Sequence, residues 1–316
     1  MSLNRPWYNV VLSGGEPTLH PHFFDIINLL HETLKERLNR LRIFSNGSRN
    51  LNFYEKIADV AKSMYMQMRI SIHTEHVNME HIIELIENLS ERLDLTFPLM
   101  FNPARREEVH LIYDILFELR KKYQFSIHIS LLRDGDHIDS RYTQEDLFWH
   151  KESTVKFRAL ENVFASKFPP KQNPMHSFHV FSDIELDGER KVLERDYDNF
   201  FERELNYTNG LLTFTGMWCV ANPAVLSIQE NGLCRGMVCG ADPFICNIYE
   251  ENSFKAVQDN LIHAVQCPFE LCGCGHNDLC PKFSSPLEAA RFIEIAREKQ
   301  KALFAEYDAA HSTQTN

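Results

Sequence analysis

Apolar residues follow two alternating patterns over the first 131 positions of the chain. Short runs rich in β-branched and aromatic residues are typical of buried strands, whereas longer runs with an apolar residue every three or four positions are typical of helices. The pattern predicts strands at 8–13, 41–45, 68–73, 95–101 and 125–131. It predicts intervening helices at 21–40, 52–64, 79–93 and 105–123. This alternation predicts an α/β fold with parallel strands, in either an open sheet or a barrel.

Polar residues stand at the ends of the second and third predicted strands. Ser45 and Asn46 end the second strand, and Ser71 and His73 lie at the end of the third. In parallel α/β folds, ligands bind beyond the carboxyl ends of the strands. We therefore expect these side chains near a ligand site, although each could equally be a hydrogen-bonded structural residue.

The first predicted strand runs into a turn made of Gly14, Gly15, Glu16 and Pro17. Two glycines allow positive φ angles and a close approach of the backbone to a ligand, and the proline fixes the chain after the turn. Glu16 then places a carboxylate near backbone donors, where it suits a cationic amine. The same four residues would also serve an ordinary strand–helix turn with an exposed glutamate.

The regular alternation stops near residue 134, and we divide the chain there. A strand–helix segment covers 1–134, a helical and linker region 135–215, a cysteine-rich segment 216–284 and a C-terminal helix 285–310. Asn231 and Gly232 separate two apolar runs and predict a β-hairpin. The other predicted elements are helices at 144–168, 253–265 and 286–307 and a strand at 177–185.

All eight cysteines lie in a short stretch of the later part of the chain: Cys219, Cys234, Cys239, Cys246, Cys267, Cys272, Cys274 and Cys280. The chain contains no apolar run of the roughly 20 residues that a membrane span needs, and its first residues do not form a secretory signal. We therefore expect a cytoplasmic protein that does not insert into a membrane. Cysteines remain reduced in that compartment, so a cluster of them is more often a metal site than a set of disulfides.

Two metals suit this cysteine pattern. Eight thiolates can hold two four-iron clusters with four ligands each. Zinc is the alternative, because the Cys-x4-Cys spacing and the run from Cys272 and Cys274 to His276 suit tetrahedral sulfur and nitrogen coordination. Cys246 and Cys267 are the candidates for cysteines that bind no metal.

The net charge of the chain is -11, and its isoelectric point is about 5.8. An acidic surface repels phosphate backbones, so the charge argues against a nucleic-acid partner.

The string at 11–21, which contains the glycine turn, resembles the second-strand signature of radical S-adenosylmethionine (SAM) enzymes. In that family the Gly-Gly-Glu-Pro turn contacts the amino group of the methionine part of SAM. The segments 45–47 and 69–73 are similar to the ends of the family's third and fourth strands. The resemblance implies SAM contacts from Gly14, Gly15, Glu16, Pro17, Ser45, Asn46, Ser71 and His73.

The same resemblance implies a partial (β/α)6 barrel that lacks its first strand, followed by a small cysteine-rich α+β domain. That domain is similar to the SPASM or twitch extensions, which hold auxiliary [4Fe-4S] clusters. Cys219, the hairpin, Gly232 and Cys234 match the outline of such an extension. The single residue between Cys272 and Cys274 is a shorter gap than the common pattern has.

The implied activity is the formation of a deoxyadenosyl radical that abstracts hydrogen from a peptide, a protein or a small molecule. A flavodoxin or ferredoxin would supply electrons. The family's Cys-x-x-x-Cys-x-x-Cys motif should precede the turn, yet no cysteine occurs before Cys219. We expect an N-terminal truncation and a chain that cannot cleave SAM alone. The alternatives are a non-catalytic iron–sulfur or zinc protein that serves as a scaffold or electron carrier, and a barrel enzyme with a structural zinc domain.

Overall fold

A computed structural model of the protein describes residues 8–134, 137–161, 185–186, 189–190, 213–221, 226–236, 241, 243–260, 262–269 and 280–312. These residues fall into two compact units that divide between positions 173 and 174. Within the described ranges, no helix combines the length and apolar character needed to cross a lipid bilayer.

The first unit alternates strands and helices, as the apolar pattern predicts. Its main strands are β1 (Tyr8–Leu12), β2 (Leu38–Ser45), β3 (Met66–Ile70), β4 (Ile72–His73), β5 (Asp94–Phe101) and β6 (Ser126–Leu131). Its helices are α1 (Phe23–Leu34), α2 (Leu51–Val60), α3 (Met79–Leu89), α4 (Arg106–Arg120) and α5 (Gln144–Glu161). A short hairpin of β7 (Arg133–Asp134) and β8 (His137–Ile138) lies between β6 and α5.

The strands β1 to β6 form one sheet in which every pairing is parallel. Their order follows the chain: β1 pairs with β2, β2 with β3, β3 and β4 with β5, and β5 with β6. The predicted α/β class with a parallel sheet is therefore confirmed. Right-handed connections between consecutive parallel strands bring their helices to the same face of a sheet.

The two faces of this sheet differ in polarity. Side chains alternate between the faces, so every second residue of a strand belongs to the same side. One face packs under the helices, and Ile27 of α1, Ile57 of α2, Ile86 of α3, Leu116 of α4 and Phe157 of α5 join its core cluster. The strand residues of that cluster include Leu41, Ile43, Met66, Met68, Ile70, Leu95, Phe97, Leu99, Phe101, Ile129 and Leu131.

The opposite side of the sheet is called the polar face below. The register of the strands assigns to it the half-buried residues Arg40, Arg42, Phe44, Gln67, Arg69, Asp94, Thr96, Ser126, His128 and Ser130. Among the described residues, the helices of this unit join the core cluster on the other face, so the side chains of the polar face lie outside that cluster.

Several predicted boundaries in the first unit are wrong; the helices predicted at 52–64 and 79–93 end at Val60 and Leu89. The helix predicted at 21–40 ends at Leu34, and the chain reverses at Lys35, whose φ is 49°. Residues 38–40 instead extend β2, where Leu38 pairs with Tyr8. The third strand is also interrupted at Ser71, whose N–H donates to the carbonyl of Ser45 at 2.9 Å.

The described residues of the second unit form short antiparallel strands and two helices. Its strands are β9 (Glu185–Leu186), β10 (Glu189–Arg190), β11 (Trp218–Val220), β12 (Ser227–Ile228), β13 (Leu233–Arg235), β14 (Cys246–Asn247), β15 (Ala264–Gln266) and β16 (Lys282–Phe283). Its helices are α6 (Ser253–Asn260) and α7 (Pro286–Ser312). Three of the five described cysteines lie in two three-stranded sheets, β15-β11-β16 and β12-β13-β14. Cys267 directly follows β15, and Cys280 lies two residues before β16.

The second unit confirms the predicted hairpin and corrects one helix. The strands β12 and β13 pair through a turn in which Gly232 has a φ of 83°. The helix predicted at 253–265 ends at Asn260, because residues 264–266 pair with β11 instead. Most of the strand predicted at 177–185 and the end of the helix predicted at 144–168 lie outside the described residues.

A buried carboxylate fixes the start of α5 against α4. The Asp146 side chain is 3% exposed and accepts two hydrogen bonds from the Arg106 guanidinium, at 2.8 and 2.9 Å. It also accepts the N–H and hydroxyl of Thr143, each at 2.8 Å, in a capping-box arrangement. The Arg106 hydrogen bonds lower the pKa of Asp146 to about 2.

We expect Asp146→Asn to lower the free energy of unfolding by about 1–3 kcal/mol at pH 7, because it removes the charge of a buried carboxylate that accepts hydrogen bonds from Arg106 and Thr143. The folded pKa lies below the ordinary 3.8, so the stabilisation is present above that pH and is lost as pH falls towards 2. Urea unfolding at pH 7 and pH 3 measures both effects. Glu145→Gln, an exposed acid in the same turn, is the control and should change stability by less than about 0.5 kcal/mol. Equal effects of the two variants at pH 7 would contradict the assignment.

Candidate functional site

The glycine turn follows β1 directly and leaves its backbone open to solvent. Gly14 has a φ of 91° and Gly15 a φ of 53°, and both residues are exposed. A Cβ added at either position would meet no atom within 4 Å. The glycines are therefore required for the left-handed conformation and not for lack of space. The exposed peptide groups of this turn are accessible to a ligand.

The carboxylate of Glu16 joins the ends of two neighbouring strands. One oxygen, Oε1, accepts the N–H of Thr18 at 3.2 Å and its hydroxyl at 2.6 Å, which caps the one-turn 3-10 helix Pro17–Leu19. The other oxygen, Oε2, accepts the N–H of Asn46, just after β2, at 2.5 Å. A carboxylate offers about four acceptor sites, so these three donors leave about one for a ligand cation.

The residues after β2 divide into an exposed and a buried part. Ser45 is buried, and its hydroxyl bonds to the hydroxyl of Tyr54 at 3.1 Å and accepts the N–H of Gly47 at 3.1 Å. The Asn46 side chain is exposed and accepts the N–H of Ser48. Gly47 has a φ of 76°, and a Cβ there would lie 2.9 Å from Ile70 Cγ2. Asn46 therefore remains available to a ligand, whereas the Ser45 side chain serves the local structure.

Ser71 and His73 lie at the ends of the next two strands, β3 and β4. Ser71 is half-buried at the interruption between β3 and β4 and is hydrogen-bonded through its N–H to β2. His73 ends β4, is exposed, and accepts the N–H of His76 through its carbonyl. The parallel register of β1, β2 and β3 aligns the turn, Asn46 and Ser71 along one edge of the sheet.

Two residues that the sequence analysis did not select extend this edge. Asn102, just after β5, donates its side-chain N–H to the Glu75 carboxylate, which follows β4. This hydrogen bond lowers the pKa of Glu75 below its ordinary value. The position of Asn102 directly after a predicted strand was a usable signal for it, because polar residues at strand ends collect at one edge. Glu75 had no such signal.

Five cysteines lie in the described residues: Cys219, Cys234, Cys246, Cys267 and Cys280. Cys234 and Cys246 are direct partners on the antiparallel strands β13 and β14. Cys219 and Cys280 pack in a different cluster, beside β11 and β16. The fifth, Cys267, directly follows β15 and is buried. The other candidate metal ligands, Cys239, Cys272 and Cys274, lie outside the described residues.

The Cys234 thiol lies in an unfavourable setting for its own ionisation. Burial, and then the adjacent Cys246 thiol, raise its pKa to about 11. A bound metal cation would reverse this preference, because it binds thiolates in place of thiols. Among the residues that the structure describes, no three potential metal ligands come within reach of one ion. Each described pair would therefore supply two ligands of a larger set.

Comparisons with protein-family models, with curated proteins and with solved structures find no match to this chain.

Proposed function

We propose that this chain forms part of a radical SAM enzyme with auxiliary iron–sulfur clusters. The observation that carries the proposal is the turn of Gly14, Gly15, Glu16 and Pro17 at the carboxyl end of a parallel strand. Asn46 and Ser71 lie at the ends of the neighbouring strands β2 and β3. This arrangement agrees with the resemblance of the sequence and with the general location of ligand sites in parallel α/β folds.

The sheet of the first unit supports a partial barrel. Its strands are parallel and follow one another in chain order, and the side chains of the described helices join the core on one face. A doubly wound open sheet reverses its strand order at a switch point and carries helices on both faces. No reversal occurs among β1, β2, β3, β5 and β6. On this proposal the polar face is the interior of the barrel segment.

The residues at the sheet edge fit the methionine part of SAM. The exposed peptide groups of Gly14 and Gly15 and the remaining acceptor site of Glu16 would hold the amino group. The amide of Asn46 and the hydroxyl of Ser71 would bind the carboxylate or ribose. Pro17 and Ser45 would act indirectly, by fixing the turn and the end of β2. The last residue of the proposed site is His73, which is exposed at the end of β4.

SAM bound to a reduced four-iron cluster supplies a carbon radical that removes a hydrogen atom from a substrate. Three thiolates hold such a cluster and leave one iron free for SAM, and the first 218 residues of the chain contain no cysteine. We therefore expect no SAM cleavage by this chain alone. Its own residues would bind and orient SAM, and a peptide, protein or small-molecule substrate would meet the polar face.

The two thiol pairs support the auxiliary-cluster part of the proposal. Cys234 with Cys246, and Cys219 with Cys280, are separate pairs in the second unit. Two pairs in different sheets suit two metal sites better than one. A zinc or iron–sulfur scaffold without catalysis is the second candidate function, and the same thiol pairs are compatible with it.

Binding of the amino acid part of SAM tests the proposed site. We expect SAM to bind more tightly than methylthioadenosine, which lacks that part, by about 10-fold or more, since a charge-assisted hydrogen bond contributes about 1.5–3 kcal/mol. Glu16→Gln should reduce this ratio, because it removes the negative charge that faces the amine. Equilibrium dialysis gives both affinities. Glu32→Gln, an exposed residue of α1, is the control. An equal ratio in wild type and Glu16→Gln would count against the site.

Metal content tests the auxiliary clusters. We expect anaerobically purified protein to contain iron and acid-labile sulfide. Cys234→Ser and Cys280→Ser should each remove about half of the iron if the two pairs serve two four-iron clusters, and the double variant should remove nearly all of it. Ser63→Ala, an exposed residue after α2, is the control. Zinc without iron would refute the clusters and favour the scaffold.

A further inference from the structure

A hydrogen-bonded row of polar side chains crosses the middle of the polar face. Arg42, Gln67 and Asp94 are register partners on β2, β3 and β5. Arg42 Nε donates to Gln67 Oε1 at 2.5 Å, and Gln67 Nε2 donates to Asp94 Oδ2 at 2.9 Å. The Tyr65 hydroxyl donates to the same Asp94 oxygen at 2.5 Å. The row lies three residues before the end of β2, or about 10 Å from the strand end at 3.3 Å per residue.

The described part of this face has more positive than negative charge. Two further guanidinium groups lie on it, Arg40 over the Tyr65 ring at 5.5 Å and Arg69 over the Phe44 ring at 5.2 Å. With Arg42, this makes three cations against the single carboxylate of Asp94, an excess of two. The whole chain carries a net charge of -11, so this local excess runs against its composition.

The burial of these charges is incompletely compensated by the protein. Burial, and then the proximity of Arg40, lower the pKa of Arg42. Burial raises the pKa of Asp94, which weakens the one anion on the row. Arg40 Nε is buried and has no hydrogen-bond partner among the described residues. An unpaired buried donor on a charged group is costly, and a bound anion would remove that cost.

The row is accessible from the β1 side of the sheet. Val11 of β1 is the register partner of Arg42 and belongs to the same face. It is 50% exposed, although it is apolar and lies within a strand. A ligand that reaches this part of the face would meet the Arg42 guanidinium beside Val11.

We propose that Arg40 and Arg42 form a binding site for a carboxylate or phosphate group. A guanidinium presents parallel N–H donors that match the two oxygens of either group. The further step, that this anion is a group of the substrate, rests on the proposed function. On that proposal the row lies inside the barrel segment, next to the strand ends that would bind SAM. The binding of the anion itself depends only on the residues of the first unit.

Titration calorimetry with inorganic phosphate and with succinate, at fixed ionic strength, tests the site and separates the two anion classes. Wild-type protein should bind at least one of them, and Arg42→Gln should weaken that binding by about 10-fold or more. Arg92→Gln is the matched control, since Arg92 pairs with Asp59 of α2, away from the polar face. Arg40→Lys keeps the positive charge but loses the parallel N–H donors of the guanidinium, so it should weaken binding less than Arg42→Gln. It is the variant to measure if Arg42→Gln does not fold.

Unchanged anion affinity in Arg42→Gln or in Arg40→Lys, or no binding of either anion to wild type, would overturn the site and leave the row as a structural link between strands. SAM binding is measured on the same proteins. Wild-type protein that binds SAM but neither anion would overturn this inference alone. Anion binding without SAM binding would instead overturn the proposed function.

Discussion

The candidate site depends on the hydrogen bonds that the Glu16 carboxylate accepts from two different strand ends. The bonds to Thr18 fix the chain just after the glycine turn, and the bond to the Asn46 N–H fixes that turn to the end of β2. The turn is exposed, and a Cβ added at either glycine would meet no atom within 4 Å, so side-chain packing around the glycines is sparse. The carboxylate supplies the constraint that packing does not.

A second constraint comes from the consecutive parallel pairing of the strands. This order leaves one face to the helices and their apolar core and the other face to polar side chains. The half-buried side chains of the polar face therefore need partners for their charges as well as for their hydrogen-bonding groups. Arg42, Gln67 and Asp94 satisfy one another's hydrogen bonds, but the positive charge of the arginines exceeds the negative charge of the one carboxylate. This excess suits the face to an anionic ligand.

The elements that depend on local pattern could be predicted from the sequence. The strands β2 and β3 have buried residues at every second position, and β5 and β6 lie within one residue of their predicted bounds. The start of β2 could not be found, because Leu34, Leu38 and Leu41 also have helical spacing. Only the pairing with β1, which is a non-local interaction, decides between the two.

Contacts between residues that are far apart in the chain could not be predicted from the sequence either. The glycine turn was visible from its composition, but the bond from Asn46 to Glu16 spans thirty positions. The spacing of the cysteines did not indicate that Cys234 lies opposite Cys246, which is set by the register of β13 and β14. Register depends on turn geometry and on which face is buried, so it does not follow from spacing alone.

The central claim is that the edge formed by the glycine turn and the end of β2 binds SAM. The most direct measurement is the change in the backbone amide NMR signals of 15N-labelled protein on addition of SAM. The account predicts shifts at Gly14, Gly15 and Asn46, with no shift at Ser90, a buried residue at the far end of α3. Saturating SAM that leaves the three edge signals unmoved would contradict it.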